Sequence, residues 1–472
     1  MTENTSTGKI KQAIQTASAK IQTGELGVVK SVSAGTAEIS GLPNAEMNEV
    51  VVFKDGMRGM IQTLTQETIG VVLLTQADAL QPGDIAERSG AVLSVPVGEA
   101  LLGRVITPLG EPLDGKQTPA CAHSFPIERP ATPIMHRAPV NVPLQTGIKA
   151  VDAFVPIGRG QRELILGDRQ TGKTAIAVDT IINQKETGVI CIYCAVGQRA
   201  TATARVIDEL KTNNVMENTI VVVAGGDAPA GLQYIAPYAA TSIGEYFMEK
   251  GRDVLIVYDD LTAHARAYRQ LSLLLRTPPG REAFPGDIFY IHARLLERAT
   301  HLRDDFGGGS LTALPIVSTE AGNISSYIPT NIISITDGQI YLSAEMFQKG
   351  ILPAIDTGRS VSRVGGDAQL PAYRSLVGAL KLFYAQFEEL ESFARFSTQL
   401  DAESEQRLKR GRAIRAVLQQ PRCQPMSAPE QIAVFTAATD GLFDNIPEKN
   451  MKSAEQAVAN LMNTEFQSTA QE

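Results

Sequence analysis

The sequence is poor in the features that metal centres and membrane spans require. Its 472 residues include five histidines, four cysteines and no tryptophan. The histidines show no metal-ligand spacing, and the chain has no run of about 18 apolar residues that could cross a bilayer as a helix. Residues 1–4 lack the basic and apolar regions of a signal peptide. We therefore expect a soluble, cytoplasmic protein.

Two of the four cysteines form a C-x-x-C pattern, which in other proteins marks metal or redox sites. Cys191 and Cys194 lie, however, inside the apolar run 189–196, which is typical of a strand. Side chains three positions apart on a strand point to opposite faces, so these two thiols do not converge. We expect buried structural thiols here.

The charge balance argues against a general nucleic-acid binder. Lysine and arginine number 43 and aspartate and glutamate 51, for a formal net charge of −8, whereas a nucleic-acid binder usually carries a basic surface. A hydrophobic content of 43% and a charged content of 20% are ordinary for a globular protein. The length suffices for roughly three domains.

The pattern of apolar residues changes along the chain. Residues 25–93 contain short strand-like runs separated by turn signals, which predict a small closed β-barrel. Residues 94–145 are rich in proline and glycine and predict a connector that wraps the next domain. Residues 146–370 alternate strand-like and helix-like runs, which predict a mainly parallel sheet flanked by helices. Residues 371–472 show only helical patterns and predict a small helical bundle.

More specific expectations follow from the same patterns. Ile10, Ile14, Ala17 and Ile21 lie on one face of a predicted helix over residues 9–21, which is either a frayed surface element or a docking peptide. We expect sheet strands at 162–166, 189–196, 219–224, 253–259, 312–317 and 332–336. We expect helices at 200–212, 231–249, 373–398, 403–420, 427–440 and 453–464.

One stretch fits the phosphate-binding pattern G-x-x-x-x-G-K-[ST] at every fixed position. It consists of Gly167, Asp168, Arg169, Gln170, Thr171, Gly172, Lys173 and Thr174. An apolar run precedes it and a helix-like run follows, so backbone N–H groups and the positive end of the helix can surround phosphate oxygens. Lys173 would reach the outer phosphates and the Thr174 hydroxyl would ligate Mg²⁺. The sequence therefore predicts a nucleoside triphosphate site.

A second element of such a site follows the apolar run that begins at Asp253. This run ends in Asp259 and Asp260. A carboxylate at the end of a strand beside the phosphate loop can hold the shell of Mg²⁺. We assign this role to Asp259. The four segments expected are thus an N-terminal arm at 1–24, the barrel at 25–93, a P-loop nucleotide-binding domain at 94–370 and the bundle at 371–472.

Together these stretches resemble the alpha subunit of the F-type ATP synthase. Further matching motifs are residues 156–164, 258–261, 278–287 and 360–366, and the resemblance runs from about residue 25 to residue 440. It implies ATP or ADP and Mg²⁺ as ligands, and a ring in which alpha subunits alternate with beta subunits around a gamma stalk. It also implies a peripheral-stalk delta subunit, coupling of ATP synthesis or hydrolysis to proton or sodium transport, and a place at the cytoplasmic face of the bacterial plasma membrane.

Chemistry favours alpha over the catalytic beta subunit. Hydrolysis needs a group that positions and polarises the attacking water, and in beta that group is a glutamate. The equivalent position here is Gln198, which can orient water but cannot take its proton at neutral pH. Gln170 is also bulky where the beta loop has a small residue. Both features indicate a site that holds nucleotide without turning it over.

The resemblance also implies residues that act across the subunit interface. Arg363 matches the arginine that reaches the phosphates of the neighbouring beta subunit, and its planar, permanently charged guanidinium suits a developing phosphoryl charge. Ser334 matches a serine near the same phosphates. Ser360 matches a position that the family needs for activity, through the shape of the Arg363 loop.

Some positions depart from the family pattern. The adenine pocket uses two glutamines, of which Gln420 matches one while Arg422 occupies the place of the other. Leu352 stands where an arginine usually precedes the proline. The loop at 304–309 is shorter than common, and the chain stops short of the usual C-terminus. We therefore expect altered base selectivity and a divergent or second-copy ATP synthase.

Three other functions remain alternatives at this point. A hexameric RNA helicase of the termination-factor type shares the phosphate loop and the barrel but needs basic and aromatic RNA contacts, which are not evident. A secretion-system ATPase and a self-sufficient soluble ATPase would both need a catalytic glutamate in place of Gln198.

Overall fold

The computed structural model describes residues 25–76, 79–394 and 401–465. The apolar stripe over residues 9–21 lies outside these described ranges, so its helix stays a prediction. The chain divides into two compact units between Val92 and Leu93. The boundaries of the four expected segments likewise stay a prediction.

The first unit is a closed six-stranded barrel. Its strands are β1 (Leu26–Ser33), β2 (Thr36–Ser40), β3 (Glu49–Phe53), β4 (Arg58–Leu64), β5 (Ile69–Leu73) and β6 (Ile85–Val92). They are joined in the order β1-β2-β5-β4-β3-β6, and each neighbouring pair is antiparallel. The predicted closed barrel is confirmed.

Side chains along the barrel strands alternate between buried and exposed, and the buried ones fill the interior of the barrel. In β1, Val29 is buried whereas its neighbours Val28 and Lys30 are exposed, as expected where one face of a strand is solvated. The sequence did not predict β2 and β6. Of the eight residues of β6 only Ala86 is buried, so this strand lacks the apolar alternation that would have revealed it.

The second unit is built on an eight-stranded sheet. The strands of this unit are β7 (Ser94–Val97), β8 (Val105–Ile106), β9 (His123–Pro126), β10 (Pro143–Leu144), β11 (Ile157–Gly158), β12 (Leu164–Asp168), β13 (Ile190–Gln198), β14 (Thr219–Gly225), β15 (Asp253–Asp259), β16 (Ser310–Thr319), β17 (Gly338–Leu342) and β18 (Val361–Ser362). The sheet order is β18-β17-β12-β16-β15-β13-β14-β8. Only the edge pair β17–β18 is antiparallel, so the predicted mainly parallel sheet is confirmed.

Helices connect the strands of the sheet, and several of them pack against it. They are α1 (Lys149–Phe154), α2 (Lys173–Asn183), α3 (Ala200–Thr212), α4 (Ala230–Met248), α5 (Leu261–Leu274), α6 (Ile288–Leu296), α7 (Tyr327–Ile335) and α8 (Ala344–Gln348). In the parallel part of the sheet, the carboxyl ends of β12, β16, β15 and β13 follow one another in this order along one edge. Ligands of open parallel sheets bind at this edge.

One predicted strand is wrong. Residues 332–336 lie almost entirely in helix α7, and the strand begins two residues after the end of that segment, at Gly338. Ile328, Ile332 and Ile335 are buried at helical spacing, and this tertiary burial overrides the β-preference of the branched side chains. Gly338 suits the strand that follows because a Cβ there would lie 2.2 Å from the Val361 carbonyl oxygen on β18.

The predicted connector at 94–145 carries four short strands. β7 pairs with β9, β10 pairs with β11, and β8 adds to the edge of the sheet beside β14. The connector therefore takes part in the nucleotide-binding fold through backbone hydrogen bonds.

The C-terminal part of the second unit is helical, as predicted. Its helices are α9 (Pro371–Ala394), α10 (Ala402–Leu418), α11 (Ala428–Thr439) and α12 (Met451–Glu465). Side-chain caps explain two of the starts: the Asp401 carboxylate accepts from the Ser404 N–H, and Ser427 with Glu430 forms a capping box. In the described parts of the chain, no helix is long and apolar enough to cross a membrane.

The C-x-x-C cysteines are inert parts of β13. Cys191 and Cys194 are buried and unoxidised, and burial raises the pKa of both thiols. Within the described residues, no group of three or more His, Cys, Asp or Glu side chains suits a metal ion. The expectation of buried structural thiols is confirmed.

Candidate nucleotide-binding site

The phosphate loop joins β12 to α2 at the edge where ligands are expected. Gly167 lies so close to β17 that a Cβ there would stand 2.7 Å from the Leu342 carbonyl oxygen. Gly172 caps α2 with φ of +98°, a left-handed conformation that suits glycine. The two glycines of the motif thus serve different purposes, namely close strand packing and a tight turn into the helix.

Lys173 folds back onto the loop. Its ammonium donates to the Gly167 carbonyl oxygen at 2.9 Å and to the Asp168 carbonyl oxygen. Burial lowers the pKa of Lys173, and the charges of Asp260 and Asp259 oppose that shift. The amine therefore lies in a partly desolvated position where an anion would stabilise its charged form.

Asp259 lies at the centre of a hydrogen-bond network in the site. It accepts hydrogen bonds from Thr174 Oγ1 at 2.7 Å, from the Tyr193 hydroxyl at 2.8 Å and from Gln198 Nε2 at 2.9 Å. Burial, with a smaller contribution from the charge of Asp260, raises the pKa of Asp259 to about 6. The structure therefore brings together Thr174, Gln198 and Asp259 as the motifs suggested.

Tyr193 is a site residue that the motifs did not reveal. It is buried in β13 and pairs with Val257, two residues before Asp259 on β15. Side chains two apart on a strand share a face, so this register carries the hydroxyl to the carboxylate. The only aromatic residue of strand β13 was the available signal.

Asp168 and Thr171 stabilise the loop. The Asp168 carboxylate accepts from the Gly322 N–H at 2.9 Å and from the Thr319 hydroxyl, so it ties the loop to the end of β16 and to the segment that follows it. Thr171 Oγ1 donates to the Asp168 carbonyl oxygen at 2.9 Å. Arg169 and Gln170 are exposed at the crest of the loop.

A cavity of about 1270 Å³ opens beside the loop. Its wall includes seven basic residues, against three acidic ones, Asp179, Asp259 and Asp260. The basic residues are Arg169, Lys173, Arg199, Arg205, Arg266, Arg422 and Lys452. This excess of positive charge suits a polyphosphate. Among the described residues that line the cavity, no glutamate is present.

The far end of the cavity contains the predicted base contacts. Gln420 lines it but is already engaged, since its Nε2 donates to the carbonyl oxygens of Gly147 and Gln424, both at 2.7 Å, and its Oε1 accepts from the Lys149 N–H at 2.9 Å. Gln420 therefore links the chain segments that form this part of the cavity wall.

The two departures from the family pattern lie in the same wall. Arg422 pairs with Glu209 on α3, and the apolar Leu352 is 45% exposed. This end of the cavity thus offers a paired guanidinium and an apolar surface in place of the family's second glutamine and arginine.

Arg363 and Ser334 lie outside this cavity and beside each other. The Arg363 guanidinium is exposed and donates to the Ile333 carbonyl oxygen at 3.3 Å. The exposed Ser334 hydroxyl donates to the Asn331 carbonyl oxygen at 2.7 Å. Both side chains are thus presented on the surface near the antiparallel edge of the sheet.

Ser360 differs from these two residues because it is buried. Its hydroxyl donates to the Asp356 carbonyl oxygen at 2.6 Å and accepts from the Tyr341 N–H at 2.9 Å. It joins the segment that leads to Arg363 to strand β17. This placement suits an influence on loop shape and leaves no hydroxyl for a ligand.

Comparison with known proteins agrees with this architecture. Family models match the ATP synthase alpha/beta family over nearly the whole chain: the beta-barrel domain at residues 22–90, the nucleotide-binding domain at 147–362 and the C-terminal domain at 369–472.

Individual relatives indicate the same family. An ATP synthase subunit alpha 2 from Syntrophotalea carbinolica is 59% identical over 449 residues, covering 95% of this chain and 86% of that protein. An ATP synthase subunit alpha 1 from Psychromonas ingrahamii is 62% identical over 440 residues, covering 93% and 85%. One from Rhodopirellula baltica is 57% identical over 457 residues, covering 97% and 91%. With its barrel, phosphate-loop domain and helical bundle in this order, the chain belongs to the ATP synthase alpha/beta family, as an alpha subunit of the F-type ATP synthase.

Proposed function

We propose that this alpha subunit holds a magnesium-bound adenine nucleotide without hydrolysing it and supplies Arg363 to the active site of a neighbouring beta subunit. The observation that carries the first half is the environment of Gln198. The phosphate loop is complete, yet the side chain in the position of the catalytic base is an amide that donates to Asp259. An amide cannot accept the proton of an attacking water at neutral pH.

In this proposal the chain's own residues bind and orient the nucleotide. The N–H groups of the phosphate loop and the start of α2 surround the phosphates, and Lys173 leaves the loop carbonyls to neutralise the outer ones. The Thr174 hydroxyl and the Asp259 carboxylate lie 2.7 Å apart and are hard oxygen ligands of the kind that Mg²⁺ prefers. Bound there through the nucleotide and its water shell, Mg²⁺ would neutralise phosphate charge.

Among the described residues that line the cavity, every carboxylate is already engaged in hydrogen bonds, which supports a site without a free general base. Of the three carboxylates in the wall, Asp260 accepts from the Ala263 N–H at 2.7 Å as the cap of α5, and Asp179 accepts from the Cys423 N–H at 2.9 Å. Asp259 is bonded to three donors. Each carboxylate thus has a binding or structural task.

The second half of the proposal concerns the surface beside β18. Among the described residues, the exposed Arg363 guanidinium forms a single hydrogen bond, to Ile333, which leaves it open to a partner in this proposal. An arginine supplied from outside a phosphoryl-transfer site can stabilise the transition state. Ser334 would contact the same phosphates. Ser360 would act through the shape of the loop.

The assembly follows from the family assignment. We propose a ring of three alpha and three beta subunits around gamma, attached to a peripheral-stalk delta subunit at the cytoplasmic face of the bacterial plasma membrane. Membrane contact would occur only through the membrane sector, which transports protons or sodium ions. Homohexameric secretion ATPases and RNA translocases are not favoured, because the named relatives are ATP synthase alpha subunits.

The test is binding and turnover by the purified chain. We expect Mg-ATP to bind and to be hydrolysed only at background rate, and Lys173→Ala to abolish binding. Steady turnover that disappears in Lys173→Ala would contradict the non-catalytic assignment. Co-purification from native membranes checks the assembly: beta and gamma subunits are expected, whereas an RNA partner or a homohexamer would overturn it.

A further inference from the structure

The side chain of Arg363 makes only a weak interaction of its own, so other residues must set its position. Its only hydrogen bond within the described chain is the 3.3 Å donation to Ile333. The backbone is better fixed, because the Arg363 N–H donates to the Asp337 carbonyl oxygen at 2.7 Å. The Asp337 carboxylate is in turn locked by Arg162, whose Nη2 lies 2.8 Å from it. It remains to be explained what fixes the backbone conformation on either side of Arg363.

Ser362 fixes that path. Its hydroxyl donates to the Pro156 carbonyl oxygen at 2.8 Å and accepts from the Gly365 N–H at 3.1 Å, so it spans the arginine and closes the turn around it. It also accepts from Gln161 Nε2 at 3.2 Å. One hydroxyl thus connects the Arg363 turn to the buried start of the nucleotide-binding fold.

Gln161 is oriented by further bonds. It is completely buried. Its Oε1 accepts from the Gly158 N–H at 2.8 Å, and its Nε2 also donates to Glu163 Oε2 at 2.7 Å. Both ends of the amide are therefore satisfied, and this arrangement requires an acceptor at position 163.

Glu163 is the unusual member of the group. It is also completely buried, and its Oε1 has no hydrogen-bond partner among the described residues. Strand β17 passes close by, since a Cβ on Gly338 would lie 2.6 Å from Glu163 Oε2. Burial raises the pKa of Glu163 well above its usual range, Asp337 reinforces the shift and the charge of Arg363 opposes it. An apolar side chain would avoid the unpaired oxygen but would remove the acceptor of the Gln161 amide, so the bond to Gln161 is what the carboxyl provides here.

We propose that Glu163 is a positioning residue for Arg363, acting through Gln161 and Ser362. The carboxyl orients the Gln161 amide, the amide holds the Ser362 hydroxyl, and the hydroxyl sets the turn that carries the guanidinium. This inference rests on the proposed role of Arg363 in the neighbouring active site. Glu163 is completely buried and does not line the nucleotide cavity, so it should affect turnover and leave nucleotide binding unchanged.

The test uses the reconstituted alpha–beta–gamma assembly. Glu163→Leu removes the acceptor, and we expect kcat to fall about 10–100-fold because small displacements of a catalytic group have effects of this size. The KM for Mg-ATP and the nucleotide content of the alpha site should not change. Glu163→Gln keeps an acceptor oxygen for Gln161 and should restore most of the turnover. Normal kcat in Glu163→Leu would overturn the inference.

A matched control is available in another enclosed acid. Glu128 accepts from Arg294 Nη2 at 2.7 Å, and burial raises its pKa also, but its interactions within the described part of the chain do not involve the Arg363 turn. Glu128→Gln should leave kcat unchanged. An equal fall in kcat in Glu128→Gln and Glu163→Leu would mean a general effect of losing a buried acid and would contradict the relay.

A double variant separates this inference from the proposed function. If Arg363→Lys lowers turnover and Glu163→Leu adds no further loss in that background, the two residues act as one unit. Losses that multiply contradict the inference alone, whereas normal turnover in Arg363→Lys contradicts the proposed function itself. Should Glu163→Leu fail to assemble, Ser362→Ala tests the same relay at its other end. A lowered kcat supports the relay there, and a normal kcat overturns it.

Discussion

The Lys149 ammonium donates a 2.7 Å hydrogen bond to the Glu455 carboxylate in the interior of the second unit. The side chains are only 2% and 10% exposed. Lys149 lies in α1, where its backbone N–H also donates to Gln420, and Glu455 lies in α12, one turn after the cavity residue Lys452. This pair therefore fastens the last described helix to the wall of the nucleotide cavity.

Breaking this pair should destabilise the subunit strongly. Burial lowers the pKa of Lys149 and raises that of Glu455, and each shift is opposed by the partner's charge. Glu455→Gln would leave the ammonium without its counter-charge, at a cost of about 3–5 kcal/mol in the free energy of unfolding. Denaturant unfolding measures the change.

The control is the exposed pair of Arg407 and Glu403, whose side chains are 52% and 73% exposed. Glu403→Gln should change the free energy of unfolding by about 0.5 kcal/mol or less, because water screens such pairs. Similar effects of the two variants would show that the buried pair does not fasten the helix.

Base selectivity should be low at this site. Gln420 is engaged with the backbone, Arg422 is paired with Glu209 and Leu352 has no polar atom on its side chain. Lys173 and Asp259, by contrast, are in place for phosphate and Mg²⁺. We predict that GTP binds within about tenfold of ATP, a difference of about 1.4 kcal/mol, and that omission of Mg²⁺ weakens binding more.

Titration of the purified chain with ATP, GTP and metal-free ATP measures these affinities. The matched variant is Arg422→Gln, which introduces the glutamine of the family pattern and should increase the preference for ATP. Strong discrimination against GTP together with little dependence on Mg²⁺ would contradict this prediction.

The local motifs pointed to residues that the fold brings to one edge of the sheet. Gly167, Lys173 and Asp259 belong to short patterns whose spacing alone brings them to one sheet edge, and helix 200–212 was predicted at its observed bounds. Tyr193 and Glu163 could not be found in this way. Their roles depend on strand register and on packing between segments far apart in the sequence, which a local pattern does not encode.

The wrong prediction of a strand at 332–336 also results from packing that a local pattern does not encode. The branched residues around Ser334 favour a strand locally, whereas burial of Ile328 and Ile332 at helical spacing decides the structure. Similarly, Gln420 was assigned from the resemblance as an adenine contact. Its long-range bonds to Gly147 and Lys149 became evident only from the fold.

The N-terminal stripe supports a separate prediction from the sequence. The apolar stripe Ile10, Ile14, Ala17 and Ile21 predicts a helix that would be too short to be stable alone, since isolated helices shorter than about 12–15 residues are marginal. We predict that residues 9–21 dock a peripheral-stalk subunit. Deletion of residues 1–22 should release the complex from its membrane sector, as measured by the ATPase activity that stays with washed membranes. Unchanged attachment would refute this role.

The most direct measurement is the ATPase rate of the reconstituted alpha–beta–gamma assembly carrying Arg363→Lys, taken together with hexamer content and nucleotide occupancy per subunit. Lysine keeps the charge but loses the planar fork that contacts two oxygens at once. Loss of an arginine finger costs about 10³–10⁵ in rate, so we predict a fall of about 10²-fold or more, with intact hexamers and normal occupancy of the alpha site. Near-normal turnover would contradict the trans-acting role, and loss of the hexamer would show that Arg363 chiefly holds the interface.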